Sequence, residues 1–295
     1  MERDIWTRMM TALKHLPRTR PRNAVYTHGQ VLAVLLWAAI HDRPISWACE
    51  RANWPMQAWR RSLPDQSTMS RRLRHPRTLE VLWALLIAVQ GDRPVGGVLV
   101  ADGKPLELSE HTRDPDAEVG RGAGRMARGY KVHLIFDPGD QRVVGHQTHP
   151  LNVAETTTTA ALVGCPDVPI PRGSLLLGDA QFDSNPLHHA THARGCRLIA
   201  PRKKPGTGLG QRPHHPNRLE SIRLTEGKDR EVWDRVLGPQ RRAIERFFGA
   251  WASFGGGLNG LPPWVRRLHR VRPWVAAKLV INAARIAGLQ DGHAA

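Results

Sequence analysis

Cysteine is scarce and unpatterned in this 295-residue chain: there are three, Cys49, Cys165 and Cys196. No two form a CxxC pair and nothing around them reads as secretory. A disulfide framework and a structural zinc site are therefore disfavoured, and a reduced cytosolic protein is expected. Long apolar runs are missing too. The best, VLAVLLWAAI at 31–40 and EVLWALLIAV at 80–89, have about half of the ~20 residues that a membrane-spanning helix needs. The first residues, MERDIWTRMMTALKHLP, carry acids and no apolar core, so they do not read as a secretory signal. Acids are the third deficit, with 26 Asp and Glu against 43 Lys and Arg, a net charge of +17 and a pI of about 11.2. Since 41% of residues are hydrophobic, this is not a disordered composition. It is a folded basic protein whose expected partner is a polyanion, nucleic acid before an anionic membrane surface. Its 33.0 kDa suffice for one large domain with an appendage or for two.

What is present divides into three stretches. Residues 1–95 read as helical, because HGQVLAVLLWAAIHD and TLEVLWALLIAVQ place apolar residues at helical spacing. Between them, Asp65 or Ser67 can cap a short helix that Pro76 stops. It carries Gln66, Ser67, Thr68, Ser70, Arg71 and Arg72, with Arg74 just after, and Arg60, Arg61 and Arg77 flank it. That composition suits a helix-turn-helix-like recognition element in a DNA major groove, or a solvated Arg-rich connector. Residues 96–255 change period. GGVLVADG reads as a buried strand and GYKVHLIFD–PGD–QRVVGHQTHP as a hairpin. A helix, the strand SLLLGDA, a second helix over NPLHHATHARG and the strand CRLIAPRKK follow. The expected fold class is α/β, a mixed sheet with its first three strands antiparallel and helices flanking it. Residues 204–232, rich in Gly, Pro and charge, read as an insertion. Pro239 then opens a helix whose Ile244, Phe247, Phe248 and Trp251 form one buried stripe. Residues 256–295 read as a basic helical tail, with Arg266, Arg267, Arg270, Arg272, Lys278 and Arg285.

Three carboxylates stand out in that frame. Asp102 and Asp179 close apolar strand-like runs, and Glu245 borders the stripe of the third helix. Side chains at the tips of neighbouring strands converge on a crevice, and ionised carboxylates gathered there repel one another unless a cation lies between them. Hard oxygen donors without thiolates favour Mg²⁺ or Mn²⁺, and two such ions would serve phosphodiester chemistry. Lys131 and His133 alternate on one strand and are expected to share a face, either one near Asp102, where Lys131 could meet a backbone phosphate, or an ordinary polar sheet face. GRGAGR reads as a flexible basic loop. His188, His189, His192, His214 and His215 lack an assured Cys or acid partner for zinc. The tryptophans mostly lie on apolar helix faces and read as core, with Trp251 the one to test for stacking on an unpaired base.

ADGKPL, GYKVHLIFD, LLLGDAQFDS and RRAIERFFGAW, in that order, resemble the DDE transposases of bacterial insertion sequences, which are built on a ribonuclease-H-like core. The resemblance covers nearly the whole chain, with QSTMSRRLR as the helix-turn-helix-like piece. It implies that Asp102, Asp179 and Glu245 are the metal-binding catalytic triad. It also implies double-stranded DNA as substrate, at element ends and target, and a homo-oligomer of at least two subunits acting on it. In the family's pattern Y-x2-R-x3-E-x6-K, Arg241 matches the arginine, while Gly238 and Ala252 replace the tyrosine and lysine; Arg246 or a tail arginine could take the lysine's part. The implied reaction is metal-assisted hydrolysis at the element's ends followed by attack of the 3′-OH on target DNA, without a covalent enzyme intermediate. A decayed DNA-binding repressor and a ribonuclease-H-like nuclease without strand transfer are the alternatives.

Overall fold

Helical spacing of apolar residues shapes the N-terminal third. The computed structural model describes residues 1–55, 62–211 and 213–294, so Arg60 and Arg61 lie outside it. It begins with α1 (Glu2–His15), α2 (His28–Ile40), α3 (Ile45–Ala48), α4 (Gln66–Leu73) and α5 (Pro76–Gln90). In α2 every residue from Val31 to Ile40 is buried, as expected of a helix apolar on all sides. It starts at a capping box. The Thr27 hydroxyl accepts from the Gln30 N–H at 3.2 Å while Gln30 Oε1 accepts from the Thr27 N–H at 2.9 Å, an arrangement typically contributing ~1 kcal/mol. Pro76 sits at the start of α5 just after α4 ends, where its missing N–H costs nothing.

Next come β1 (Val98–Glu107), β2 (Glu118–Arg121), β3 (Met126–Asp137), β4 (Arg142–Pro150), α6 (Glu155–Gly164), β5 (Leu175–Leu177), α7 (Asn185–Ala193), β6 (Arg197–Ile199) and α8 (Pro216–Glu226). β1, β3 and β4 are antiparallel neighbours, and β5 and then β6 add in parallel on the other side of β1. The sheet is therefore mixed, as the sequence predicts. β2 is an addition to that expectation. It pairs Glu118–Arg121 with Met126–Gly129, so GRGAGR spans the end of this strand and a tight turn with Gly124 at φ 85°. One sheet face buries Leu99, Ala101 and Ile135 against Leu162 and Val163 of α6 and Leu187 of α7.

The last elements are α9 (Arg230–Val232), α10 (Gly238–Arg241), α11 (Ala243–Ala252) and α12 (Leu268–Ala294). Helical winding thus starts ahead of Pro239, at Arg230, and reaches it through a wide π turn over Trp233–Leu237. A proline has no N–H for the regular i−4 bond, and a widened turn accommodates that.

The chain forms two units. One comprises residues 1–92, 112–117 and 251–295, the other 93–111 and 118–250. In the first, α12 packs on α1, α2 and α5 and buries Val271, Trp274, Val275, Leu279 and Ile281. Its start is capped by Asp114 and Asp116, which accept from the N–H groups of Arg267 and Leu268, each at 2.8 Å; acids suit the positive end of a helix dipole. Lys278, expected on a basic tail, is fully buried. Its ammonium donates to Ala39 O at 2.7 Å, Asp42 Oδ1 at 2.6 Å and Gly256 O at 3.1 Å, as a buried charge must.

Candidate active site

The second unit holds all three candidate acids, and the ladder register shows how the first two meet. β1 pairs with β5 only from Val98↔Leu175 to Val100↔Leu177, whereas its ladder with β3 continues to Glu107↔Gly129. Asp102 is therefore not at the end of its strand, as the sequence suggested. What ends beside it is the parallel ladder, because β5 stops at Leu177. Asp102 lies two residues past Val100, and Asp179 two residues past the Val100 partner, Leu177. They occupy matching positions at the fork between neighbouring parallel strands. Both sites depend on a preceding or following glycine. A Cβ on Gly178 would lie 2.7 Å from the Phe182 ring, and one on Gly103 would lie 2.8 Å from Lys131 Cδ.

Asp102 is 16% exposed, and its Oδ1 accepts from the Gly103 N–H at 2.8 Å. Burial pushes its carboxyl up to about 7; the Gly103 bond and Arg241 oppose that shift, while Glu155 and Asp179 add to it. Loss of hydration disfavours the carboxylate more than these nearby donors favour it. Asp179 Oδ1 accepts from the Gln181 N–H at 2.7 Å and caps the short turn Ala180–Phe182.

Glu245 comes from α11. That helix lies across the Asp102 face of the sheet, because Asp102 pairs with Leu134 and Val100 with Phe136, and the Phe136 and Phe247 rings are 4.7 Å apart. Lys104, on the same face, places its ammonium 5.9 Å from the Phe248 ring. Glu245 itself is 52% exposed. Arg241 links it to the strands, with Nη1 2.5 Å from Glu245 Oε1 and Nη2 3.7 Å from Asp102 Oδ2. Among the described residues, no three His, Cys, Asp or Glu side chains are already drawn together tightly enough to hold an ion.

Other expected site residues are placed differently. Lys131 and His133 do share a face, but it is the one opposite Asp102, since they pair with Pro105 and Gly103. Lys131 is buried and its ammonium donates to Glu155 Oε1 at 2.6 Å, so its charge is already matched and it is not open to a phosphate. His133 is buried, which pushes its ring down to about 3 and leaves it neutral. Trp251 is buried, with its N–H donating to Lys278 O at 3.2 Å; it cannot stack on a base. In the histidine group, His188 is buried and His215 packs on His189 and His192. The acid close to that group, Asp183, takes two hydrogen bonds from Arg218, at 2.6 and 2.8 Å. Glu155 was not foreseen near Asp102. The signal available was its place as first residue of the helix that follows the hairpin.

In the first unit, α4 exposes Gln66, Ser67 and Arg71, with Arg74 exposed just beyond; Thr68 and Ser70 are half-buried. Asp65 holds its start, accepting from the Thr68 N–H at 2.7 Å and the Ser67 hydroxyl at 2.8 Å. Arg72 turns inward and donates to Tyr26 O at 2.7 Å. It supports the element and does not extend its exposed basic face. Arg246, on α11, is exposed.

The sequence model of the transposase DDE domain family matches residues 93–261, a segment that contains Asp102, Asp179, Glu245 and Arg241. The chain belongs to the DDE transposase family. That membership makes it a transposase in class, from a family of metal-dependent DNA-cleaving enzymes. No curated protein matches the chain. Among solved structures, that of the piggyBac transposase in its synaptic complex with hairpin DNA is similar in fold, with a TM-score of 0.50 and 9% identity over 99% of this chain and 73% of that one. No described helix of this DDE transposase is long and apolar enough to cross a membrane.

Proposed function

We propose that this transposase binds the ends of a bacterial insertion sequence and cuts and joins DNA at a site formed by Asp102, Asp179 and Glu245. The observation that carries the reading is the matched placement of Asp102 and Asp179 at the fork of two parallel strands, with the Glu245 helix packed over the same sheet face. The donor set fits a hard divalent cation. Asp102 is a buried carboxyl whose charged form lacks sufficient compensation, and a nearby cation would supply it. Asp102 and Asp179 would hold Mg²⁺ or Mn²⁺, two ions in the full site, with Glu245 completing the set. Bound there, the metal supplies an activated attacking oxygen and charge neutralisation at the leaving one.

The chain's own residues bind and orient. The Gly103 and Gln181 N–H groups fix the two strand carboxylates, so little reorganisation is needed when substrate arrives. Exposed Arg246 lies one residue from Glu245 and can steady a phosphate there. Gln66, Ser67, Arg71 and Arg74 form the end-recognition surface on α4, with Thr68 and Ser70 at its margin. The first unit would bind duplex ends and the second would cut, hydrolysis freeing a 3′-OH that then attacks target DNA. Two ends must be cut together, so at least two subunits would assemble on DNA in the bacterial nucleoid.

Plasmids carrying the flanking DNA of this gene test the reading. Asp102→Asn, Asp179→Asn and Glu245→Gln are each expected to lower Mg²⁺-dependent cleavage by at least ~10³-fold while end binding in a gel-shift assay stays within about threefold. Full cleavage by one variant would remove that residue from the site.

A further inference from the structure

We propose that Arg241 is a built-in counter-cation of the acidic site, holding the positive charge between Asp102 and Glu245 in the metal-free protein and giving way when a divalent cation binds. The inference rests on the assignment of those acids as metal ligands and deepens it. Arg241 is the last residue of α10 and Glu245 lies in the first turn of α11. One guanidinium contacts both acids, at 2.5 Å and 3.7 Å, and the arginine side chain is only 19% exposed. Its Nε has no hydrogen-bond partner among the described residues. The two carboxylates are therefore the contacts that hold the group in place.

Chemistry makes this more than an ordinary helix ion pair. An arginine does not surrender its proton in a protein, so its charge can leave the site only if the side chain moves. While it stays, it repels an incoming cation and occupies one oxygen of Glu245. Once it moves, that oxygen is free and the acids can be drawn to the metal. The same displacement explains why the acids are not yet gathered around one point. Arg241 offsets part of the cost of burying Asp102 beside Asp179, and the rest is left for a metal to relieve. The released guanidinium, still attached at the rim, then offers its charge to the phosphodiester. Metal loading and substrate binding would thereby share one moving residue.

Mn²⁺ binding to the full-length protein without DNA, followed by electron paramagnetic resonance, decides the matter. Arg241→Gln should bind Mn²⁺ roughly tenfold more tightly than the parent chain, because a like charge a few Å away is removed. Arg241→Lys keeps the charge and should stay within about threefold of the parent, which separates charge from folding damage. Equal or weaker binding by Arg241→Gln, with the parent still binding Mn²⁺ and Asp102→Asn not, overturns the counter-cation and leaves the metal site standing. Failure of the parent to bind, or unchanged binding by Asp102→Asn, overturns both.

Discussion

Replacing Asp102 by Asn should stabilise the metal-free protein, although it removes an acid of the proposed metal site. The folded protein holds the Asp102 proton up to about pH 7, against an ordinary carboxyl value of 3.8. The unfolded chain gives it up near 4, so unfolding releases a proton between these limits and stability falls as pH rises through that window. The penalty is absent below about pH 4 and fully developed above about 7. The rise from 3.8 to about 7, at about 1.36 kcal/mol per pH unit, sets a ceiling of about 4 kcal/mol. Water reaching the 16% exposed side chain and local relaxation would bring it nearer 2. Asn has the same shape, keeps an oxygen to accept from the Gly103 N–H and carries no charge to desolvate. Urea unfolding in EDTA should show Asp102→Asn more stable than the parent by about 2–4 kcal/mol at pH 8 and by less than half of that at pH 5. Adding Mn²⁺ should raise the stability of the parent and leave the variant unchanged. A variant that is less stable than the parent at pH 8, with parallel pH profiles, would show that the carboxylate is already compensated in the metal-free fold and would refute the reasoning.

Two further outcomes separate residues that the sequence alone groups together. Arg71→Ala and Arg74→Ala should each lower end binding and reduce the salt dependence of the binding constant by about one counter-ion, measured by fluorescence anisotropy across a salt series, whereas Arg72→Ala should act through lost stability of α4. Lys131→Met should leave the Glu155 carboxylate unpaired and destabilise the fold by about 3–5 kcal/mol, with the salt slope of DNA binding unchanged; a reduced slope would return Lys131 to the DNA-contacting set.

Legibility in the sequence followed the range of the interactions involved. The alternation in GYKVHLIFD and the turn residues after it are local, so the β3–β4 hairpin could be read directly, as could the stripe Ile244, Phe247 and Trp251 that seats α11. β2 was obscured because its pairing is closed by a turn of small residues, which reads as loop. Placing Lys131 near Asp102 failed for a similar reason. Two residues of one strand share a face by periodicity, but which face depends on the register with β1, and there Lys131 falls opposite Pro105.

By itself the sequence determined the basic charge that calls for a polyanion, the kinds of element and their order, and the three acids with the element that carries each. These follow from composition, short-range periodicity and turn chemistry. Only the tertiary structure decided that β5 runs parallel to β1 in the register that matches Asp179 to Asp102, and that β1 continues past its acid. It also decided that Glu155 approaches from α6, that Lys278 is buried in α12, and that one arginine spans two of the three acids. Each depends on burial and pairing between segments far apart in the chain, where non-local packing sets the register and the surroundings of a charge.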